Sequence, residues 1–200
     1  MSDPYVYPGT DILINKPGIR NKEELDRFER MMTRARLAEP LPEVPMSYIG
    51  YKTLHHHIFQ DVFDWAGKSR TVSLAKGNTF FGPPIYVDSE MTKRFRLLTD
   101  ENHLKGLRLE AFASRAAEHL NEINAIHPFR EGNGRTQRLF LEVLANQAGY
   151  QVRSKDIHPG PWNEASIKGF DGDHRPLAVI IRAAIFTHSH SRLTDREQEK

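Results

Sequence analysis

His127-Pro128-Phe129-Arg130-Glu131-Gly132-Asn133-Gly134-Arg135-Thr136-Gln137-Arg138 puts an imidazole, a carboxylate, a glycine-flanked amide and two guanidinium groups within twelve residues. An apolar-periodic run, Leu139, Phe140, Val143, Leu144 and Ala148, follows at once and predicts a helix that opens near Asn133 and closes at Gly149. A helix start leaves its first N–H groups unpaired and its dipole positive end outward, and Gly132 and Gly134 let an anion approach that backbone closely. Arg135 and Arg138, three apart, share a face of the first turn and can both reach a polyphosphate. Glu131 is placed to hold Mg²⁺ against such a ligand, because Mg²⁺ takes one or two carboxylates plus phosphate oxygens. His127 is the group that can accept a proton near neutral pH. Alone, each residue is more readily read as a turn, a solvated face or a loop histidine. Together they point to phosphate-ester chemistry.

Working outward, His127-Pro128 breaks a preceding helix of about 109 to 125 that sets Leu109, Phe112, Ala116, Leu120 and Ile123 on one side. Before it, Asp88 can cap a helix carrying Met91, Phe95 and Leu98. Residues 70 to 87 change period: Val72 and Leu74 alternate with polar residues, Lys76-Gly77-Asn78 is turn chemistry, and Ile85 and Val87 alternate again after Pro83-Pro84. One β-hairpin is predicted there, with Phe80 and Phe81 near its tip read as packing residues. Further upstream, Asn21 with Glu24 opens a first helix of about 22 to 37 bearing Leu25, Phe28, Met31, Met32 and Ala35, and Pro40, Pro42 and Pro45 form a stiff connector. Ser47 caps a second helix whose apolar face takes Tyr48, Tyr51, Leu54, Ile58, Val62 and Trp65 and which ends at Gly67. Residues 1 to 20, rich in Pro and Gly, read as an arm draped on the domain. Downstream, Pro161 and Pro176 suit the first turns of two more helices, and residues 187 to 200 read as a polar tail.

Two hundred residues suit one compact domain, so 1–200 is read as a single unit with a core of about 5–186. No run approaches the length of a bilayer span and Met1-Ser2-Asp3-Pro4-Tyr5 lacks the sections of a secretory signal, so a cytoplasmic protein without membrane attachment is expected. Zero cysteines exclude thiolate catalysis and disulfide scaffolding. A net charge of +2, with Lys and Arg spread along the chain, gives no reason to expect direct nucleic-acid binding. Gly67-Lys68-Ser69 resembles the end of a P-loop but has Val62 where a glycine is needed. His55-His56-His57 point about a third of a turn apart on a helix and do not converge on a metal unaided, and His188 and His190 in the tail are as weak.

The pattern His-Pro-Phe-x-Asp/Glu-Gly-Asn-Gly-Arg-x-x-Arg is the signature of Fic domains, and residues 127–138 match it at every defined position. The resemblance extends more loosely over about 5–186, through Tyr7-Pro8-Gly9-Thr10-Asp11, Phe63-Asp64-Trp65-Ala66-Gly67, the hairpin and Gly106-Leu107, and is to bacterial Fic toxins and the Fic parts of secreted effectors. It implies an all-α Fic fold, a helical bundle with one β-hairpin flap beside the active-site loop. The implied activity is transfer of AMP from ATP to a Ser, Thr or Tyr hydroxyl of a target protein, with Mg²⁺. His127 would be the base, Glu131 the metal anchor, Gly132, Asn133 and Gly134 the anion hole, and Arg135 and Arg138 the partners of the β- and γ-phosphates. Thr71, Val72, Ser73, Leu74, Lys76, Gly77, Asn78, Phe80 and Phe81 would form the flap that aligns the target segment. Family members are commonly held off by Ser/Thr-x-x-x-Glu-Gly/Asn, whose glutamate pairs with the second arginine. That motif is absent, so a small antitoxin-like protein is expected to supply a glutamate near Arg138. The short chain suggests a toxin-type role on bacterial type II topoisomerases. An effector-type role on host proteins, another phosphate-linked donor, and a non-catalytic nucleotide-binding module remain alternatives.

Overall fold

The computed structural model describes residues 3–77 and 79–186. The expected tail, with His188 and His190, and the turn residue Asn78 lie outside the described residues. Seven α-helices carry the fold among the described residues: α1 Lys22–Ala38, α2 Tyr48–Phe59, α3 Val87–Asp100, α4 Leu109–Ile126, α5 Asn133–Gln147, α6 Pro159–Phe170 and α7 Arg175–Ala184. Two antiparallel ladders accompany them, β1 Ala75–Lys76 with β2 Thr79–Phe80 and β3 Gln151–Val152 with β4 Ile185–Phe186. The second ladder has no alternating stretch in sequence to announce it. It forms because the ends of α5 and α7 are brought side by side.

α4 is the central rod and packs on α3, α5, α6 and α7. Its Ala113, Ala116 and Ala117 are at most 2% exposed, and such small residues let neighbouring helices come close while Phe112, Leu120 and Ile123 fill the spaces between. α1 is capped by Asn21, whose side chain accepts the Glu24 N–H at 3.0 Å, and α2 by Ser47, which accepts the Gly50 N–H at 3.3 Å. α1 lies on α2, and α2 on α5. Within α1, Met31 falls outside the expected face and is 57% exposed. One hydrophobic cluster runs through all of these helices and includes Phe129 of the motif, fully buried and stacked on His55 and Tyr51 with centroids 3.8 and 5.6 Å away. Burying that ring contributes about 2–3 kcal/mol and pins the loop to the bundle.

Three boundaries differ from expectation. α2 ends at Phe59, eight residues before Gly67, because the chain folds back: the Val62 carbonyl accepts the Lys16 N–H and the Gly67 N–H is taken by the His55 ring. The hairpin ladder is only two residues long, so Thr71, Val72 and Ser73 form the first leg of the flap ahead of it, and Leu74 joins through its carbonyl, which accepts the Phe81 N–H at 3.1 Å. Pro84–Tyr86 is a single 3-10 turn and Val87 starts α3, with Asp88 inside the first turn accepting a hydrogen bond from the Ser69 hydroxyl rather than capping. The two prolines remove the N–H groups a longer strand needs. Pro161 and Pro176 both sit in first turns as expected, the one in α6, which opens at Pro159, and the other in α7.

Candidate active site

The end of α4 sets the first functional side chain. Pro128 stops the helix, and His127 takes up a left-handed conformation (φ 53°) as its C-cap while its N–H still bonds to the Ile123 carbonyl. Its Nδ1 lies 3.2 Å from the Asn124 carbonyl, an atom that only accepts, so Nδ1 carries the proton and Nε2 is the ring's free acceptor. Phe81 stacks on the ring at 3.7 Å. Burial, opposed by the Asn124 hydrogen bond and assisted by the charges of Arg70 and Lys76, lowers the imidazole pKa to about 4. The ring is therefore neutral at physiological pH and able to accept a proton.

The loop is closed by a reciprocal clasp. Asn133 Oδ1 accepts the Phe129 N–H at 3.0 Å and Nδ2 donates to the Phe129 carbonyl at 2.8 Å, so this buried side chain holds the turn and leaves only backbone facing outward. Gly132 has φ 83°, and a Cβ there would lie 2.3 Å from the Phe59 ring; its glycine is demanded by the packing beneath the loop. A Cβ at Gly134 would instead stand 3.6 Å from Arg138 and 3.8 Å from the Asn163 side chain, in the cleft. The first intrahelical bond of α5 is made by the Thr136 N–H to the Gly132 carbonyl, which leaves the N–H groups of Asn133, Gly134 and Arg135 ahead of the ladder at the positive end of the dipole.

Glu131 is about half exposed at the mouth of the cleft; its Oε1 accepts the Gly132 N–H at 2.8 Å and lies 3.6 Å from Arg135 Nη2. Arg135 is held further by Glu29 of α1, at 2.6 Å, and rests 4.6 Å over the Phe59 ring. Burial raises the Glu29 pKa, with Arg135 pulling the other way. Among the described residues no carboxylate pairs with Arg138, whose pKa burial and the neighbouring Arg135 charge lower to about 10, so it stays cationic. No group of three or more His, Asp or Glu side chains among the described residues is set to hold a metal. The loop offers a metal one carboxylate, a donor set that suits Mg²⁺ when phosphate oxygens and water complete its shell.

These groups line a cleft of about 870 Å³ between the hairpin, the motif loop and α6. Leu74, Lys76, Gly77 and Phe81 of the flap face it together with His127, Glu131, Gly132, Asn133, Gly134, Arg135 and Arg138, whereas Phe80 turns away and is 78% exposed. The expectation that both phenylalanines pack holds for Phe81 only, because adjacent residues of a strand point to opposite faces.

Sequence reasoning passed over four contributors. α6 supplies the far wall through Trp162, Asn163, Ser166 and Phe170. Glu29 reaches Arg135 from a helix a hundred residues upstream. His55 spans two loops, accepting the Gly67 N–H on Nδ1 at 2.8 Å and donating from Nε2 to the Glu131 carbonyl at 3.0 Å, and burial lowers its pKa to about 3. Arg70 is 2% exposed and donates to the carbonyls of Val72, Gly82, Ile126 and His127. No spacing rule connects these residues to the motif.

This helical frame with its hairpin-flanked loop defines a class. A family model described as Fic/DOC family matches residues 45–145, and the chain belongs to that family. It is similar to the probable protein adenylyltransferase y4lH of Sinorhizobium fredii, 44% identical over 92% of this chain and 97% of that one. The probable protein adenylyltransferase Fic of Escherichia coli K12 is 38% identical, with 92% of each chain covered. Among solved structures, the N-terminal Fic domain of a putative cell filamentation protein from Bartonella quintana with bound ADP superposes with a TM-score of 0.84 at 29% identity, covering 92% of this chain and 95% of that one. The BepC protein of Bartonella tribocorum with bound AMPPNP gives 0.81 at 27% identity, covering 91% and 96%.

Proposed function

We propose that this chain transfers AMP from ATP to a hydroxyl side chain of another protein. The observation that carries the reading is one cleft holding a neutral imidazole with an Nε2 free among the described residues, the unladdered N–H groups of α5 and a cationic Arg138 with no carboxylate partner among those residues. The names of the relatives, protein adenylyltransferases, and the adenine nucleotides bound in related structures support the same donor. Nε2 of His127 takes the proton of the target hydroxyl, the oxygen attacks the α-phosphorus, and the bond from that phosphorus to the bridging oxygen breaks in line. A protein–AMP phosphodiester forms and pyrophosphate leaves. The α5 N–H groups and Arg138 oppose the charge of the phosphates, with Arg135 beside them. Glu131 would hold Mg²⁺, which supplies further neutralisation of polyphosphate charge when bound. The flap offers backbone for pairing with an extended target segment.

The finer reading is a toxin-type enzyme of the cytoplasm that modifies type II topoisomerases and is restrained by a small antitoxin-like protein whose glutamate pairs with Arg138. That no carboxylate pairs with Arg138 among the described residues favours such a partner. A second reading, modification of host proteins, is favoured by the Bartonella effector domains among the structural neighbours. Labelled ATP, Mg²⁺ and bacterial or host-cell lysate would separate the two by the band that becomes labelled. His127→Ala should abolish labelling while folding and ATP binding persist. Labelling by this variant at the wild-type rate would sink the assignment.

A further inference from the structure

Arg70 lies outside the motif, yet it is among the largest fully buried side chains of the molecule. Among the described residues no carboxylate pairs with it, and burial lowers its pKa below the ordinary arginine value. A buried cation without a counter-ion costs several kcal/mol unless hydrogen bonds compensate. Here the compensation comes from two separate parts of the chain. Nε donates to the His127 carbonyl at 2.7 Å and Nη2 to that of Ile126 at 3.0 Å, the carbonyl end of α4, where the helix dipole is negative. Nη1 donates to Val72 and Nη2 to Gly82, one residue on each leg of the flap.

The backbone reinforces the same junction. The Arg70 N–H bonds to the Pro128 carbonyl at 2.9 Å, the Gly82 N–H to that of Ala125 at 3.1 Å, and Phe81, next to Gly82, stacks on the His127 ring. A planar fork of N–H donors can satisfy four carbonyls at once, which an ammonium cannot do in the same geometry.

We propose that Arg70 is a positioning residue that locks both legs of the flap to the carbonyl end of α4, so that the flap edge and Nε2 of His127 form one rigid frame. The frame sets where a hydroxyl carried by a flap-bound segment meets the base. This inference rests on the proposed transfer reaction, and the coupling it requires can be measured without that reaction.

Arg70→Lys keeps the charge and loses the fork, and Arg70→Gln loses both. In folded Arg70→Lys, ATP affinity should stay within about twofold while transfer at saturating ATP and target falls about 100-fold, the scale of a misplacement of roughly 1 Å. Amide hydrogen exchange should quicken at Phe81, Gly82 and His127 together, with the interior of α5 still protected. In the wild-type protein the same three amides should open as one unit, a readout that needs no variant. Unchanged turnover in Arg70→Lys, a loss that follows ATP affinity, or wild-type flap amides opening independently of His127 would overturn the proposal. If wild-type protein transfers no AMP, the functional reading fails, and the exchange result still decides whether Arg70 couples the flap to the loop.

Discussion

At the scale of single residues, the chemistry depends on protonation and space more than on identity. His127 is useful because a carbonyl fixes its proton on Nδ1 and burial keeps the ring neutral. The two glycines of the motif, alike in sequence, do different work. At Gly132 an added methyl meets both a positive φ and the Phe59 ring, so Gly132→Ala should destabilise the protein by about 1–3 kcal/mol. Gly134 has no positive φ and ordinary contact distances. Gly134→Ala should therefore fold with a melting temperature close to wild type and bind ATP more weakly, since its methyl stands beside Arg138. Thermal melts and ATP titration of the two variants test this contrast; equal loss of stability in both would contradict it. Reading both glycines as a phosphate cradle was possible from spacing, but the Phe59 ring beneath Gly132 comes from α2 and no local rule reports it.

At the scale of elements, the loop is held from below by α2 as well as by its own helix. His55 stacks on Phe129 and spends both ring nitrogens on backbone, one on the turn after α2 and one on the motif. His55→Phe keeps a ring of similar shape but strands the part-buried N–H of Gly67 and the Glu131 carbonyl, so a loss of about 1–3 kcal/mol is expected, read by urea denaturation. A variant as stable as wild type would show that water replaces both bonds. In sequence His55 was only one of three adjacent histidines. What separates it from His56 and His57 is the face of α2 it occupies, buried against the motif. The flap shows the opposite balance: its turn was legible from Lys76-Gly77, yet its length was overestimated, because Pro83-Pro84 divert the second leg into a 3-10 turn.

At the scale of the whole molecule, burying neutral imidazoles links folding to pH. The unfolded chain protonates histidine near about 6.5, whereas burial lowers His127 to about 4 and His55 to about 3. Above the unfolded value both states are neutral and the full stability is present; as pH falls from there towards 4 and then 3, the unfolded state binds protons that the folded state refuses. Denaturant midpoints should therefore decline steadily below about pH 6.5, and less steeply in His55→Phe; parallel slopes for the two proteins would contradict this origin. Among the described residues no helix is long and apolar enough to cross a membrane, and the core is formed by packing helix on helix. The sequence by itself determined the helices with their caps at Asn21 and Ser47, the break at Pro128, and the motif that sets imidazole, carboxylate and arginines around one helix start. These are local properties of spacing, rotamer and backbone. Only the tertiary structure decided that Arg70 joins flap to loop, that Glu29 engages Arg135 while Arg138 has no carboxylate among the described residues, that His55 underpins the loop, and that α6 completes the cleft. Each of these depends on residues far apart in the chain meeting once the bundle has packed, and contacts of that kind leave no period or motif to read.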